Sequence, residues 1–228
     1  MCRASPAAGL SAATAFTIRW SWACCAPFPM PWWWGAGTLR AVPRHIWTPR
    51  HVSPAHAADY ERLRASLGKE GQPLTVIVTA SGSVDLGLPV FQSGHAQALI
   101  ITTSAGMERL GGRAMPPSVE VRAVGKTGRL SAQDVLEAIS RFREPEVALV
   151  EGGPQLIGDF FAENLLDELF LTLSPQVAGR ERGTYRPGLV EGKVFAPDRP
   201  LWGELAGVKR AADHLFLRYA FGDGETSG

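Results

Sequence analysis

Beyond residue 50 the apolar positions follow two alternating rhythms: short unbroken runs, and runs that recur every three to four residues. SPAHAADYERLRASLG, residues 53–68, predicts a helix. Ser53 can cap it, Pro54 suits its first turn, Gly68 suits its end, and Ala57, Tyr60, Leu63 and Leu67 share one face. PLTVIVTASG reads as a buried strand entering a turn. QALIITTSAGMERLG reads as a strand, a cap at Ser104 and a short helix, and SVEVRAVG as another strand. SAQDVLEAISRFRE predicts a helix capped by Ser131, with Val135, Ile139 and Phe142 on one face. EVALVEGG is a strand running into a glycine turn, PQLIGDFFAENLL a helix opened by Pro154, and DELFLTLSPQVAG a further strand. LWGELAGVKRAADHLFLRYAF predicts two strands around Ala212-Asp213, and GDGETSG a disordered tail.

Strand and helix alternate through most of this body. That order predicts an α/β fold with a mostly parallel central sheet flanked by helices and a C-terminal hairpin as an antiparallel edge. No internal repeat interrupts it, and residues 35–221 read as one domain.

Composition adds a boundary. The chain has 228 residues, ample for a buried core, and a net charge of +1 with 20% charged residues, which implies no nucleic-acid partner. No apolar run reaches the roughly 18 residues of a membrane span. Residues 1–34 contain no Asp, Glu or Lys, yet hold all three cysteines (Cys2, Cys24, Cys25) and five of the seven tryptophans. After Trp34 there is no cysteine and the charges are mixed, as in a reduced, cytoplasmic protein without a disulfide framework.

The first segment has two readings. AAGLSAATAF with SWACC resembles the apolar part and lipidated cysteine of a signal peptide, but Arg19 and two tryptophans crowd the cleavage region. The second reading is a shifted reading frame. Trp and Met each have a single codon, so part of the DNA follows from the protein. Regrouped from the third base, Trp22-Ala23 gives Gly, Cys24-Cys25 gives Leu, Met30-Pro31 gives Ala, and Trp32 and Trp33 each give Val. The flanking codons allow G-L-L-R-A-x-S-D-A-V-V-V-G, a helix end followed by a β-branched strand. One extra G near Trp34 and Gly35 would produce the present text. On this reading residues 1 to about 25 pack poorly, while MPWWWGAGT still makes a strand because aromatics tolerate a pleated surface.

Two glycine turns follow apolar strands: Gly35-Ala36-Gly37-Thr38 and Glu151-Gly152-Gly153-Pro154. Glycine lets a phosphate approach the backbone, and a helix N-terminus offers free N–H groups. A tight strand–helix corner explains such turns equally well. Neither is a P-loop or a G-x-G-x-x-G fingerprint. Thr102-Thr103-Ser104 ends a third strand and could hold another phosphate, though capping alone accounts for Ser104. Arg40 and Arg44 could clamp an anionic substrate or simply form a solvated basic loop. His45, His51 and His56 have no metal-ligand spacing, and no nucleophile elbow is visible, so no metal is expected.

EGGPQLIGDFFAENLLDELFLTLSPQVAGR resembles the signature of the riboflavin-biosynthesis pyrimidine reductase family, whose fold is dihydrofolate-reductase-like. The matching positions are Glu151, Gly152, Gly153, Leu156, Asp167, Glu168, Leu169, Leu171, Pro175 and Gly179. GAGTLR is similar to the family's other glycine turn, and the shifted frame restores the D-A-V-V-V strand that precedes it. The resemblance implies NADPH as hydride donor and reduction of a phosphorylated ribosylamino-pyrimidine to the ribityl form. By it, Gly35, Gly37, Thr38, Gly152, Gly153 and Leu156 would bind cofactor, with Thr102, Thr103 and Ser104 near its adenosine ribose and 2′-phosphate. Glu151 would sit at the nicotinamide–substrate junction as the catalytic residue, and a homodimer is implied. Two departures leave the substrate open to related pyrimidine- or pteridine-like compounds. The family's first strand with its S-x-D-G turn is missing, and Arg40-Ala41-Val42-Pro43-Arg44 replaces an acidic stretch. A non-catalytic nucleotide-binding protein of the same fold is the alternative.

Overall fold

The computed structural model describes residues 32–222, except 70, 127, 144, 146, 180, 184 and 186. The expectations for residues 1 to about 25 and for the tail beyond 222 lie outside these residues.

Five strands form one sheet: β1 (Trp32–Gly35), β2 (Thr75–Val78), β3 (Ala98–Thr102), β4 (Val119–Ala123) and β5 (Leu149–Val150). Their order is β4-β3-β2-β1-β5, and every pairing is parallel. The unbroken apolar runs of β2 and β3 are what a sheet covered on both faces requires; Val76, Ile77, Leu99, Ile100 and Ile101 are all fully buried. The expected strand over MPWWWGAGT is β1, which lies between β2 and β5 with Trp34 opposite Ile77 and Trp33 opposite Val150.

Alternation along β2 and β3 divides the core in two. Ile77 and Ile100 point to one side, where they meet Leu39, Trp47, Phe91 and Leu110. These come from α1 (Ala36–Ala41), the loop before α2 (Pro49–Val52), α4 (Pro89–Gln92) and α5 (Ser104–Leu110). Val76, Leu99 and Ile101 point to the other, against Val135 and Ile139 of α6 (Ala132–Phe142) and Phe160 of α7 (Pro154–Ala162). Ser131 caps α6 as expected, its hydroxyl accepting from the Asp134 amide at 3.0 Å.

Three expectations are corrected. The predicted helix over 53–68 is a 3-10 turn (Pro54–His56) followed by α3 (Ala57–Ser66), and its buried residues are Tyr60 and Arg64, while Leu63 and Leu67 are each 40% exposed. The Arg64 guanidinium turns inward to donate to the Gly71 carbonyl at 2.8 Å, which rotates the leucines outward. The cap of α5 is Thr103, whose hydroxyl accepts from the Gly106 amide at 3.0 Å; Ser104 is the first helical residue. The terminal hairpin does not edge the parallel sheet. β7 (Glu204–Ala211) and β8 (His214–Ala220) join β6 (Glu168–Leu173) in a second, antiparallel sheet of order β6-β8-β7. The turn is at Ala212-Asp213, as the sequence predicts, with Ala212 in the left-handed region at φ 50°.

Candidate functional site

Because β1 and β5 are parallel neighbours, the chain leaves both at the same edge of the sheet, and the two glycine turns emerge side by side. A Cβ on Gly35 would stand 3.7 Å from the Gly153 backbone nitrogen. Each of these glycines is the residue before a helix, Gly35 before α1 and Gly153 before α7, and neither offers a side chain to cap it. No acidic residue lies in either first turn. The positive ends of two helices therefore meet with no carboxylate from either first turn to answer them.

The glycines differ in what they are needed for. At Gly152 a Cβ would lie 2.5 Å from Leu156 Cδ2, so this glycine makes room for a leucine that packs against the core around Val76 and Leu99. Around Gly37 and Gly153 no described atom comes within 4 Å of where a Cβ would be. A glycine inside a helix costs about 0.5–1 kcal/mol relative to alanine. Gly37 is exposed in the first turn of α1, where backbone N–H groups are free to meet an anion. Two such helix N-termini could hold phosphate groups. Thr38, half-buried in the first turn of α1, stands beside Gly37.

Glu151 is the residue between β5 and the second turn. It is half-buried, and burial raises its carboxyl from 4.5 to about 7. Among the described residues nothing donates to it or pairs with it. A carboxylic acid that titrates near neutrality without a charged partner is suited to giving or taking a proton.

The third expected phosphate contact is otherwise engaged. β3 lies two strands from β1, about 10 Å away at normal strand spacing. Thr102 is fully buried and donates to the Thr79 carbonyl at 2.6 Å, and Thr103 donates to the Ala80 carbonyl at 2.8 Å. These hydroxyls tie the end of β3 to the end of β2. Ser104 is exposed, and its hydroxyl donates to the Gly125 carbonyl at 3.1 Å.

Arg40 lines a cleft of about 400 Å³ with Ala36, Leu39, Ser83, Val84, Asp85, Leu88 and Arg113. Arg113 is anchored there by donating to the Val84 carbonyl at 2.8 Å. Arg44 is exposed and does not line it. Sequence reading missed Arg113, Ser83 and Asp85, because loop residues far apart in the chain carry no periodic signal. His51 meets Thr48 Oγ1 at 2.7 Å and lies against His95, with ring centroids 4.9 Å apart and planes tilted by 51°. Among the described residues no three potential ligands gather as a metal site would need.

The family model of the RibD C-terminal domain matches residues 34–195. The chain belongs to the RibD C-terminal domain family. Solved structures share its fold at low identity. A pyrimidine reductase-like protein from Corynebacterium diphtheriae is 18% identical with a TM-score of 0.65, the match covering 91% of this chain and 80% of that one. RibD from Acinetobacter baumannii is 16% identical with a TM-score of 0.62, over 92% of this chain and 51% of its own. The third is a Thermotoga maritima diaminohydroxyphosphoribosylaminopyrimidine deaminase/5-amino-6-(5-phosphoribosylamino)uracil reductase. It is 18% identical with a TM-score of 0.61, over 91% of this chain and 48% of its own. The RibD-domain chain described here thus spans about half the length of the latter two. No curated protein matches the sequence. No helix among the described residues is long and apolar enough to cross a membrane.

Proposed function

We propose that the chain is an NADPH-dependent reductase of a phosphorylated ribosylamino-pyrimidine, converting ribosyl to ribityl, or of a related pyrimidine- or pteridine-like compound. The observation that supports this best is the meeting of the two glycine turns, Gly35 beside Gly153, in a member of the RibD C-terminal domain family. When bound, NADPH supplies a hydride to an electron-poor carbon of the substrate. The chain's part is to hold and exclude. Backbone amides after Gly35 and Gly153 receive phosphate oxygens, with Thr38 beside them. Glu151, with its carboxyl raised to about 7, holds a proton at its carboxyl oxygen between β5 and the Gly152-Gly153 turn. Arg40 and Arg113 provide guanidinium groups for an anionic end of the substrate. Hydride transfer depends mainly on juxtaposition in a dry cleft, so one titrating group suffices.

The test is the loss of NADPH absorbance when the chain is mixed with a phosphorylated ribosylamino-pyrimidine. Turnover supports the proposal. NADPH binding without turnover favours the non-catalytic nucleotide-binding reading, and absence of both overturns the proposal.

A further inference from the structure

The Gly152-Gly153 turn is carried by α7, a helix of nine residues, so what holds the helix sets where the turn lies. The C-terminal end of α7 is tied to α6: the Glu163 carboxylate accepts from the Ala132 amide at 3.1 Å and the Gln133 amide at 2.8 Å. Leu156 and Phe160, one turn apart, face the core. The N-terminal end has no side-chain cap. It is met instead on its outer face by residues 188–195, part of the irregular segment between β6 and β7. Pro154, Gly158 and Phe161 recur at positions i, i+4 and i+7 and make that face. The Glu191 amide donates to the Pro154 carbonyl at 3.1 Å. A Cβ on Gly158 would stand 3.0 Å from Val190 Cγ1 and 3.1 Å from the Glu191 carbonyl oxygen, so the helix bears no side chain where the segment crosses it. The Phe195 ring lies edge-on to Phe161, with centroids 6.5 Å apart.

Beside this face sits Asp159, only 6% exposed. Its carboxylate accepts from Arg129 Nε at 3.1 Å and pairs with Arg129 Nη2 at 2.6 Å, and Lys193 Nζ of the crossing segment stands 3.4 Å away. Within that segment the Gly188 amide donates to Glu191 Oε1 at 2.7 Å, closing a turn just before Lys193. Taking a carboxylate out of water is costly, and an apolar side chain of its size would stabilise the helix as well. What the ion pairs add is direction, since they fix one placement of residues 188–195 along α7.

We propose that residues 188–195 act as a strap on α7, and that Asp159, through Lys193, is a positioning residue for the Gly152-Gly153 turn. The strap bears on Pro154, the residue after Gly153, while the Ile157 amide reaches back to the Gly153 carbonyl at 3.2 Å. Without the strap, α7 is held at its far end by Glu163 and along one face by Leu156 and Phe160, and its first turn is free to rock on that contact. Rocking changes the spacing between Gly153 and Gly35, and with it the fit of whatever the two helix N-termini hold. The inference rests on the reading of that space as the cofactor's.

The experiment sets hydrogen exchange of the ligand-free chain beside NADPH titration for the wild type, Lys193→Met, Asp159→Asn and Lys193→Arg. The Lys193 side chain is 32% exposed, so Lys193→Met folds whether or not Asp159→Asn does. Both charge-removing variants are expected to exchange faster over residues 157–161 alone, with β2 and β3 unchanged and NADPH affinity about three- to tenfold weaker. Lys193→Arg returns the charge and restores both readouts. Val194→Ser, on the strap but 91% exposed, leaves both at wild-type values. Unchanged exchange over residues 157–161 in Lys193→Met overturns the proposal. So does faster exchange throughout β2, β3 and α6, the mark of an ion pair that only stabilises the fold. Local loosening with undiminished NADPH affinity overturns the positioning role. A wild-type chain that binds no NADPH overturns the reductase reading instead, and the exchange pattern still decides whether the strap holds the turn.

Discussion

A Cβ on Gly35 would stand 3.7 Å from the backbone nitrogen of Gly153, although 117 residues of chain separate the two. The parallel pairing of β1 with β5 creates this meeting, by delivering two helix N-termini to one point. The contact distance is ordinary, so a small side chain at either position is tolerated by the fold. What it would take away is the space between the turns.

Gly37→Ala separates fold from function. No contact outside α1 lies within 4 Å of the new methyl, so the fold is expected to be no less stable. NADPH affinity is expected to fall by about tenfold. Chemical denaturation and a binding titration on the same sample check both halves.

Gly106 and Thr102 should behave in the opposite way. A Cβ at Gly106 would fall 2.0 Å from Thr102 Oγ1 and 2.8 Å from the Ala80 carbonyl oxygen. Gly106→Ala is therefore expected to destabilise the chain by more than about 2 kcal/mol, a packing clash rather than a loss of ligand. Thr102→Val, which removes one of two donors to the Thr79 carbonyl and leaves the Gly82 amide at 3.3 Å, is expected to cost about 0.5–1.5 kcal/mol. NADPH affinity of the folded Thr102→Val protein should be unchanged; a tenfold loss would return Thr102 to the cofactor site.

Glu151 sets a pH dependence with a definite sign. Its carboxyl titrates at about 7 when folded against 4.5 when free, so the protonated form is the one the fold favours. Stability is unaffected below 4.5, declines as pH rises through the interval, and is lowest above 7. Glu151→Gln is expected to remove that decline, making the variant the more stable of the two at pH 8 and not at pH 4. If the protonated carboxyl serves the reaction, kcat/KM of the wild type falls above pH 7 while that of Glu151→Gln is low and flat. Thermal melts and rate profiles across pH 4–9 provide the check.

The frame of the first 34 residues is open to direct test. The family match begins at residue 34, where the codon arithmetic places the change of frame. Removing one base from the G-run restores a Val-rich β1 in a central position of a parallel sheet, where β-branched residues suit burial on both faces. The corrected chain is expected to melt higher and to bind NADPH more tightly than the chain as written. Equal melting and binding would show that Trp32–Trp34 serve β1 as they stand.

What could be read from the sequence was whatever local chemistry decides. The Ser131 cap, the glycine ends and the turn at Ala212-Asp213 each depend on a few adjacent residues. Leu63 and Leu67 were misjudged because helical spacing gives a face without saying which face meets the core, and the buried Arg64 decided that through a carbonyl at Gly71. Thr103 displaced Ser104 as the cap because its hydroxyl can reach both the Gly106 amide and the Ala80 carbonyl. The separate second sheet was not readable, since the pairing of β6 with β8 spans more than forty residues and leaves no local mark. At the site, the two glycine turns were visible as motifs. Their meeting, and the company of Arg113 beside Arg40, exist only in the fold.

The most direct measurement is a calorimetric titration of the chain with NADPH and NADH, alongside Gly35→Val. The account predicts saturable binding that favours NADPH, and at least tenfold weaker binding by the folded variant, whose added carbons extend toward the Gly153 backbone. Absence of saturable binding by the chain, or equal binding by a folded Gly35→Val, would contradict the assignment of that space to the cofactor.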